Sequence, residues 1–535
     1  MCTRKKVANV SASIFLSTCL FSSACILSAE QATSYAEKAA AAPQVRMRWQ
    51  DFIAGPAGAK RLASLKTAIS KMKSLDNSTN PTDFRRSWRY WANIHGYYGP
   101  TSPDGTVAQQ IQFLQSNGLG SDASFYQGIT DQTPPDAVAK AIWATCEHSA
   151  GPGPKQANFF GWHRMYLYYF ERVLRWAAND NTLRLPYWDY TSPAQETLPA
   201  EFRATTSVMY DAKRNSGINQ GTSKLNSNST NIDTKLQNTN FLSYEYNVET
   251  TIHGYVHCTV GPTCPVAHMG DVPVAGNDPV FYEHHANIDR MWACWEKLHP
   301  TPAGAWQNQK FSFVDETGTM QTEPVSKFVD TTALGYVYDN VSACSRTPVH
   351  KVPAAAVAPQ AAASGNERFP VMVGSTSQPV SLTQATTNVD IAVPATAMHS
   401  LAVAPPGSSS SALILRDVTA QSLPGAMVNV YIAKKEQPAN RKFVGTINWF
   451  GAFRHHGTTV PYQQTHEFDV TEQLRTLGVT TGTSGVTVTF EATDGRVPTG
   501  AAPAATANAA APAFRPEAKL QIRAVELRQA ASPPK

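Results

Sequence analysis

The chain is short of charge. Only 16% of its 535 residues are Asp, Glu, Lys or Arg, the formal net charge is +5, and the cations are scattered along the sequence. A chain of this kind offers no basic stripe to nucleic acid and no polybasic patch to an anionic membrane. It has no long internal repeat, and its apolar run at residues 13–28 is too short to span a bilayer comfortably. Cysteine is scarce as well: of eight in all, Cys2, Cys19 and Cys25 stand near the N-terminus and five follow, namely Cys146, Cys258, Cys264, Cys294 and Cys344. Loss of the N-terminal three would leave an odd count, so at least one Cys would stand outside any disulfide.

What is present begins as an export leader. Arg4-Lys5-Lys6, the apolar run and the small-x-small triplet Ser34-Tyr35-Ala36 mark residues 1–36 as a signal peptide, which predicts a periplasmic or secreted protein in which disulfides are permitted. A lipoprotein acylated at Cys25 is the weaker alternative, because Ser22 stands where an aliphatic residue is expected. The length exceeds what one hydrophobic core usually serves, so two domains are expected.

Helical periodicity dominates the first of them. Residues 59–75 place Leu62, Leu65, Ala68, Ile69, Met72 and Leu75 on one face, residues 87–95 follow suit, and residues 100–105 read as loop. The segment GWHRMYLYYFERVLRWAA at 161–178 is apolar on more than one side and is predicted to be a central helix. The Asn/Ser/Thr/Gly-rich stretch 214–240 reads as a long surface loop, and helices are expected at 250–259 and 279–298. After PAAAVAPQAAAS at 353–364, a linker, the period changes to two in NVDIAV (388–393), MVNVYI (427–432) and VTVTF (486–490), with a last strand expected at 519–527. The predicted architecture is an α-helical bundle over 46–345, a linker over 346–368, and an antiparallel β-sandwich over 369–530.

The chemistry gathers on histidine. His253 and His257 stand four residues apart, one turn of a helix, and can offer two imidazoles to one metal. With 14 His in the chain, roughly 0.4 such pairs arise by chance, so the pair alone decides little. His285, 28 residues beyond His257, and the earlier His95, His148 and His163 raise the number to two triads. Taken singly, each is more often a packed residue than a ligand. Two triads of neutral imidazole without carboxylate favour copper over hard ions, and a three-ligand copper keeps a position open for a small molecule. His455-His456 has no third partner nearby in sequence and is expected at the surface.

The segments WHRMYLYYFERVL and NDPVFYEHHANIDRMWACW resemble the two copper-binding signatures of the type 3 copper proteins: tyrosinases, catechol oxidases and molluscan haemocyanins. The resemblance spans roughly residues 85–300. It implies His95, His148 and His163 on one copper and His253, His257 and His285 on the other, with His284, Asn287 and Asp289 in supporting roles. The segment GPGPKQAN at 151–158 lengthens the usual spacing between His148 and His163. Cys146, two residues before His148, matches the Cys-x-His arrangement that forms a thioether with a ligand His in some members. Cys258 with Cys264 and Cys294 with Cys344 are the pairs suggested for the rest, other connectivities being open.

Glu249 matches the acidic residue that holds a water beside the second copper in many tyrosinases and helps deprotonate a phenol. Gly254 stands where the family often has an assisting Asn, which argues against monophenol hydroxylation; Val272 falls where the family places a gate over the first copper and, being small, argues for substrate access. The expected activity is therefore oxidation of o-diphenols to o-quinones by O2, with monophenol hydroxylation. Catechol or o-aminophenol oxidation without it is the near alternative, and a haemocyanin-like O2 carrier the one from another class. Lys442 to Phe453 (KFVGTINWFGAF) resembles the β-domain that covers the copper site of latent plant polyphenol oxidases, so a lid is expected alongside the plainer reading of a stabilising domain. Oligomeric state is not legible in the sequence.

Overall fold

The computed structural model describes residues 42–146, 158–346, 369–394 and 411–530, apart from short gaps at 263, 301–302, 342–343, 456–457, 460, 480–482 and 500–511. The leader at 1–36, His148, the 353–364 linker and the side chains of His455 and His456 lie outside what is described.

Helix α1 (Gly55–Ser74), α2 (Trp88–His95), α3 (Asn158–Ala178) and α4 (Val280–Leu298) form the helical part. Ser87 caps α2, its hydroxyl accepting from the Tyr90 N–H. Helix α3 is the axis, as its all-round apolar sequence predicts: Phe159, Trp162, Met165, Tyr166, Phe170 and Leu174 are buried, α1 and α4 pack on it, and Phe170 stacks on Tyr282 of α4 at 3.7 Å. This part is not helical throughout. Gln44–Arg46 pairs in parallel with Tyr336–Tyr338, and Lys310–Val314 forms a hairpin with Met320–Pro324.

Stretch 214–240 corrects the expectation of a surface loop. It holds two short helices, Ser216–Gln220 and Asp233–Leu236, and a strand, Ser223–Leu225, with Arg214, Ile218, Leu225, Ile232 and Leu236 buried. Its polar residues suggested solvent, but they serve as internal partners: Arg214 grips Asp278 through two bonds of 2.8 and 2.7 Å.

The period-two segments are strands: β1 (Val371–Ser375), β2 (Thr386–Ala392), β3 (Ser411–Ala420), β4 (Met427–Lys434), β5 (Lys442–Ile447), β6 (Tyr462–Asp469), β7 (Gly485–Thr493) and β8 (Gln521–Gln529). They form two antiparallel sheets, ordered β5-β4-β7-β2 and β6-β3-β8-β1. The helical and β parts do not separate, because residues Gln44–Lys535 make one compact unit. Arg496–Pro498 pairs with Ser223–Leu225, the Leu423 N–H donates to Asn117 Oδ1 at 3.1 Å, and the Tyr255 hydroxyl donates to the Gly495 carbonyl at 2.6 Å. Among the described residues no helix is long and apolar enough to cross a membrane.

Candidate metal centre

Four elements bring the histidines together. His95 ends α2, His163 lies one turn into α3, and His284 and His285 lie in the second turn of α4. His253 and His257 come from a continuous helical run of three pieces: Phe241–Asn247, a wide π-type turn at Val248–His253, and Gly254–Val260. Such turns insert a residue into a helix and recur at functional sites.

The imidazoles are oriented by main-chain carbonyls. Nδ1 of His95 lies 3.0 Å from the Val272 carbonyl, that of His163 2.7 Å from Phe159, that of His253 3.3 Å from Glu249 and that of His257 2.7 Å from Met269. A carbonyl only accepts, so each Nδ1 carries the proton and each Nε2 holds the lone pair that a metal needs. The Cys258–Cys264 disulfide ties the end of the His257 helix to the loop bearing Met269, and Cys294–Cys344 staples α4 further on, the pairing suggested above.

His253, His257, His284 and His285 hold their ligating atoms within 4.8 Å of one another, and His95, Cys146 and His163 form a second such group. The groups adjoin, since the rings of His163 and His285 stack at 4.4 Å. Burial, reinforced by neighbouring imidazoles, holds His257 and His285 well below the ordinary histidine range and His284 at about 3, so these rings are neutral. Nε2 of His257, Nε2 of His284 and both nitrogens of His285 are buried with no hydrogen-bond partner among the described residues. Buried lone pairs left open in this way are costly in an apolar core and suit a soft-to-borderline metal.

The structure refines several residue assignments. His284 sits in the cluster rather than behind it; its Nδ1 contacts the Tyr190 hydroxyl at 2.8 Å. Asp289 accepts from Arg164, Arg46, Tyr336 and Tyr338 and so anchors α4, while Asn287 accepts from Arg290 one turn along the same helix. Burial alone would raise the Asp289 carboxyl, but Arg164 and Arg46 outweigh it and hold it below the ordinary aspartate range. Cys146, outside both disulfides, places its Sγ 3.8 Å from Nε2 of His163.

A cavity of about 440 Å³ opens onto His253, with Glu249, Gly254, Asp104 and Val272 on one wall and Asn448, Phe450 and Phe453 of the β part on the other. His466 on the second wall is pushed down to about 4 by burial and is neutral at pH 7. Phe450 lies flat on His257, centroids 3.9 Å apart at 11°, and edge-on to His253 at 5.4 Å. KFVGTINWFGAF marked this region in the sequence, but nothing there singled out Asn448 or Phe450. The carbonyl contacts of Val272 and Met269 were equally hidden, because any residue type supplies a carbonyl.

Comparison with known proteins places the helical part. The common central domain of tyrosinase matches residues 85–247 and 202–298. Aureusidin synthase of Antirrhinum majus is 30% identical over 323 residues, covering 52% of this chain and 50% of that protein. A chloroplastic polyphenol oxidase of Malus domestica is 31% identical over 223 residues (34% and 37%), and a tyrosinase of Hahella sp. 27% over 427 (72% and 81%). The chain thus spans about half or less of the plant relatives just named. Among solved structures, latent apple tyrosinase superposes with TM-score 0.53 at 20% identity, covering 92% of this chain and 98% of that one. Recombinant latent aurone synthase gives 0.57 at 20% identity, with 92% and 90% covered. Both show that the fold is shared along most of the chain.

Proposed function

Since residues 85–298 make the chain a member of the tyrosinase and polyphenol oxidase family of type 3 copper proteins, whose central domain implies a binuclear copper centre, we propose that it oxidises o-diphenols to o-quinones with O2. The single observation that supports this reading best is the pair of adjoining buried ligand groups, His253, His257, His284 and His285 beside His95, Cys146 and His163, opening onto a cavity. When bound, the two coppers supply the dioxygen and two-electron chemistry. Two diphenols each lose two electrons and two protons, and one O2 takes up all four of each to leave two waters.

The residues then divide the work. His253, His257 and His285 would hold one copper and His95, His163 and His148 the other, with Cys146 the candidate for a thioether to His148. Glu249, buried on the cavity wall beside His253, is positioned to accept a proton from a bound phenol. The 440 Å³ cavity is large enough for a single aromatic ring. Val272 contributes its carbonyl to His95, so it helps to build the first site as well as bordering the entrance.

The β part acts as a lid in this reading. What supports it is Phe450, whose ring occupies the face of His257 that a phenol would approach. Turnover of a monophenol, an o-diphenol and an o-aminophenol by the copper-loaded chain, before and after cleavage in 353–364, tests both ideas. A chain that binds two coppers and oxidises none of the three would defeat the oxidase; equal rates before and after removal of the β part would defeat the lid.

A further inference from the structure

At the wide turn, Val248–His253, the next N–H passes over one carbonyl. In a regular α-helix the Gly254 N–H would bond to the Thr250 carbonyl, four residues back. Here it reaches instead to the carbonyls of Glu249 and Thr251, five and three residues back, and skips Thr250. The Thr250 carbonyl is taken by the β part: Asn448 Nδ2 donates to it at 2.7 Å and lies 3.5 Å from the Thr251 carbonyl. The same side chain uses its Oδ1 to accept from the Phe450 N–H at 3.3 Å, so one amide bridges the wide turn and the segment that covers His257.

Room for that amide exists only because residue 254 is glycine. A Cβ built on Gly254 would lie 2.2 Å from Asn448 Oδ1, 2.8 Å from its Cγ and 2.9 Å from its Nδ2. Gly254 therefore serves as the socket, and the skipped carbonyl is the partner at its floor.

We propose that Asn448 is a positioning residue for Glu249, holding the helix that carries His253 in its wide register. The inference rests on the reading of Glu249 as the base of the cavity. Without the amide, the Thr250 carbonyl loses its donor and the nearest replacement is the Gly254 N–H. Making that bond converts the wide turn to α-helix and shifts everything before it by one residue, about 100° of rotation at 3.6 residues per turn. Glu249 leaves the cavity wall, while His257, which follows the turn, keeps its place.

Asn448→Asp tests this in the full chain, because it keeps the shape and replaces the donating amide with an accepting oxygen. In a crystal structure of the variant the Gly254 N–H is expected on the Thr250 carbonyl, with Glu249 off the wall. Hydrogen exchange in residues 251–255 should change by about tenfold while that in strands β3 and β4 stays as it was. Gly254→Ala, which evicts the amide from the other side, should give the same register. A variant that keeps the wide turn, with water on the Thr250 carbonyl, overturns the proposal, as does an exchange change spread through β3 and β4, which would mean that the β part has simply come away. The register and exchange readouts need no catalysis, so a chain that binds copper but oxidises no phenol would refute the functional reading while these readouts still decide this one.

Discussion

Replacing Phe450 with alanine should unmask the site, and the structure sets the size of the effect. The ring is half-buried, stacked on His257 at 3.9 Å and edge-on to His253 at 5.4 Å. Full burial of a Phe side chain is worth about 1.5–3 kcal/mol, so half of it contributes about 1 kcal/mol. Its aromatic contacts add about another 1 kcal/mol beyond area. The closed arrangement should therefore lose about 2 kcal/mol relative to an open one, which is about thirtyfold in the equilibrium. If only open molecules turn over, the observed rate scales with their fraction while that fraction is small. Initial rates of o-diphenol oxidation by full-length Phe450→Ala, at matched copper content, should rise by about thirtyfold, with Phe450→Leu in between. The gain should disappear once the β part has been removed, since nothing remains to open. A rise below about threefold in a correctly folded variant would refute the reasoning, because the ring would then contribute too little to hold the cavity shut.

Asp289→Asn should cost about 3–5 kcal/mol, read as a lowered guanidinium midpoint, because Arg46 and Arg164 stay buried without their shared carboxylate. The sign of its pH dependence follows from the depressed folded value: the stabilisation is whole above about pH 4, where the unfolded chain is already ionised, and is lost as pH falls through the folded value. Acid titration of the Asn variant should lack that component; an unchanged acid limb would contradict it. His285→Ala should bind one copper where the unaltered chain binds two, as equilibrium dialysis would show. Peptide mass analysis after copper loading should find Cys146 and His148 joined with the loss of two hydrogens and resistant to reduction. A Cys146 thiol that alkylates quantitatively would rule this out.

Much of the helical part was legible because its signals are local. The 161–178 pattern required a buried helix, the spacing of His253 and His257 required one face, and the alternation in 388–393, 427–432 and 486–490 required strands; all three stand in the structure. What escaped was whatever depends on a distant partner. Stretch 214–240 looked solvated because its composition is polar, and only the position of Asp278 shows where Arg214 spends its charge. The side chain that Gly254 faces, Asn448, lies 194 residues away, and no local signal places it there. Asp289 read as a support for the ligands and proved to be an anchor for two arginines, whose positions no periodicity encodes.

The pairing of Arg496–Pro498 with Ser223–Leu225 bears on how such a chain would be activated by a protease. A cut in the linker breaks one covalent tie, but the strand pair, the Leu423 bond to Asn117 and the Asn448 bond to Thr250 persist as three separate footholds. Before the cut they are held at an effective concentration set by the tether; afterwards they bind as a multivalent ligand whose avidity exceeds that of any one contact. If the β part is the lid proposed above, nicking and activation become separate events in time. The lag between them is the residence time of the released fragment, which dilution shortens only by preventing rebinding and which a detergent or a competing strand would shorten directly.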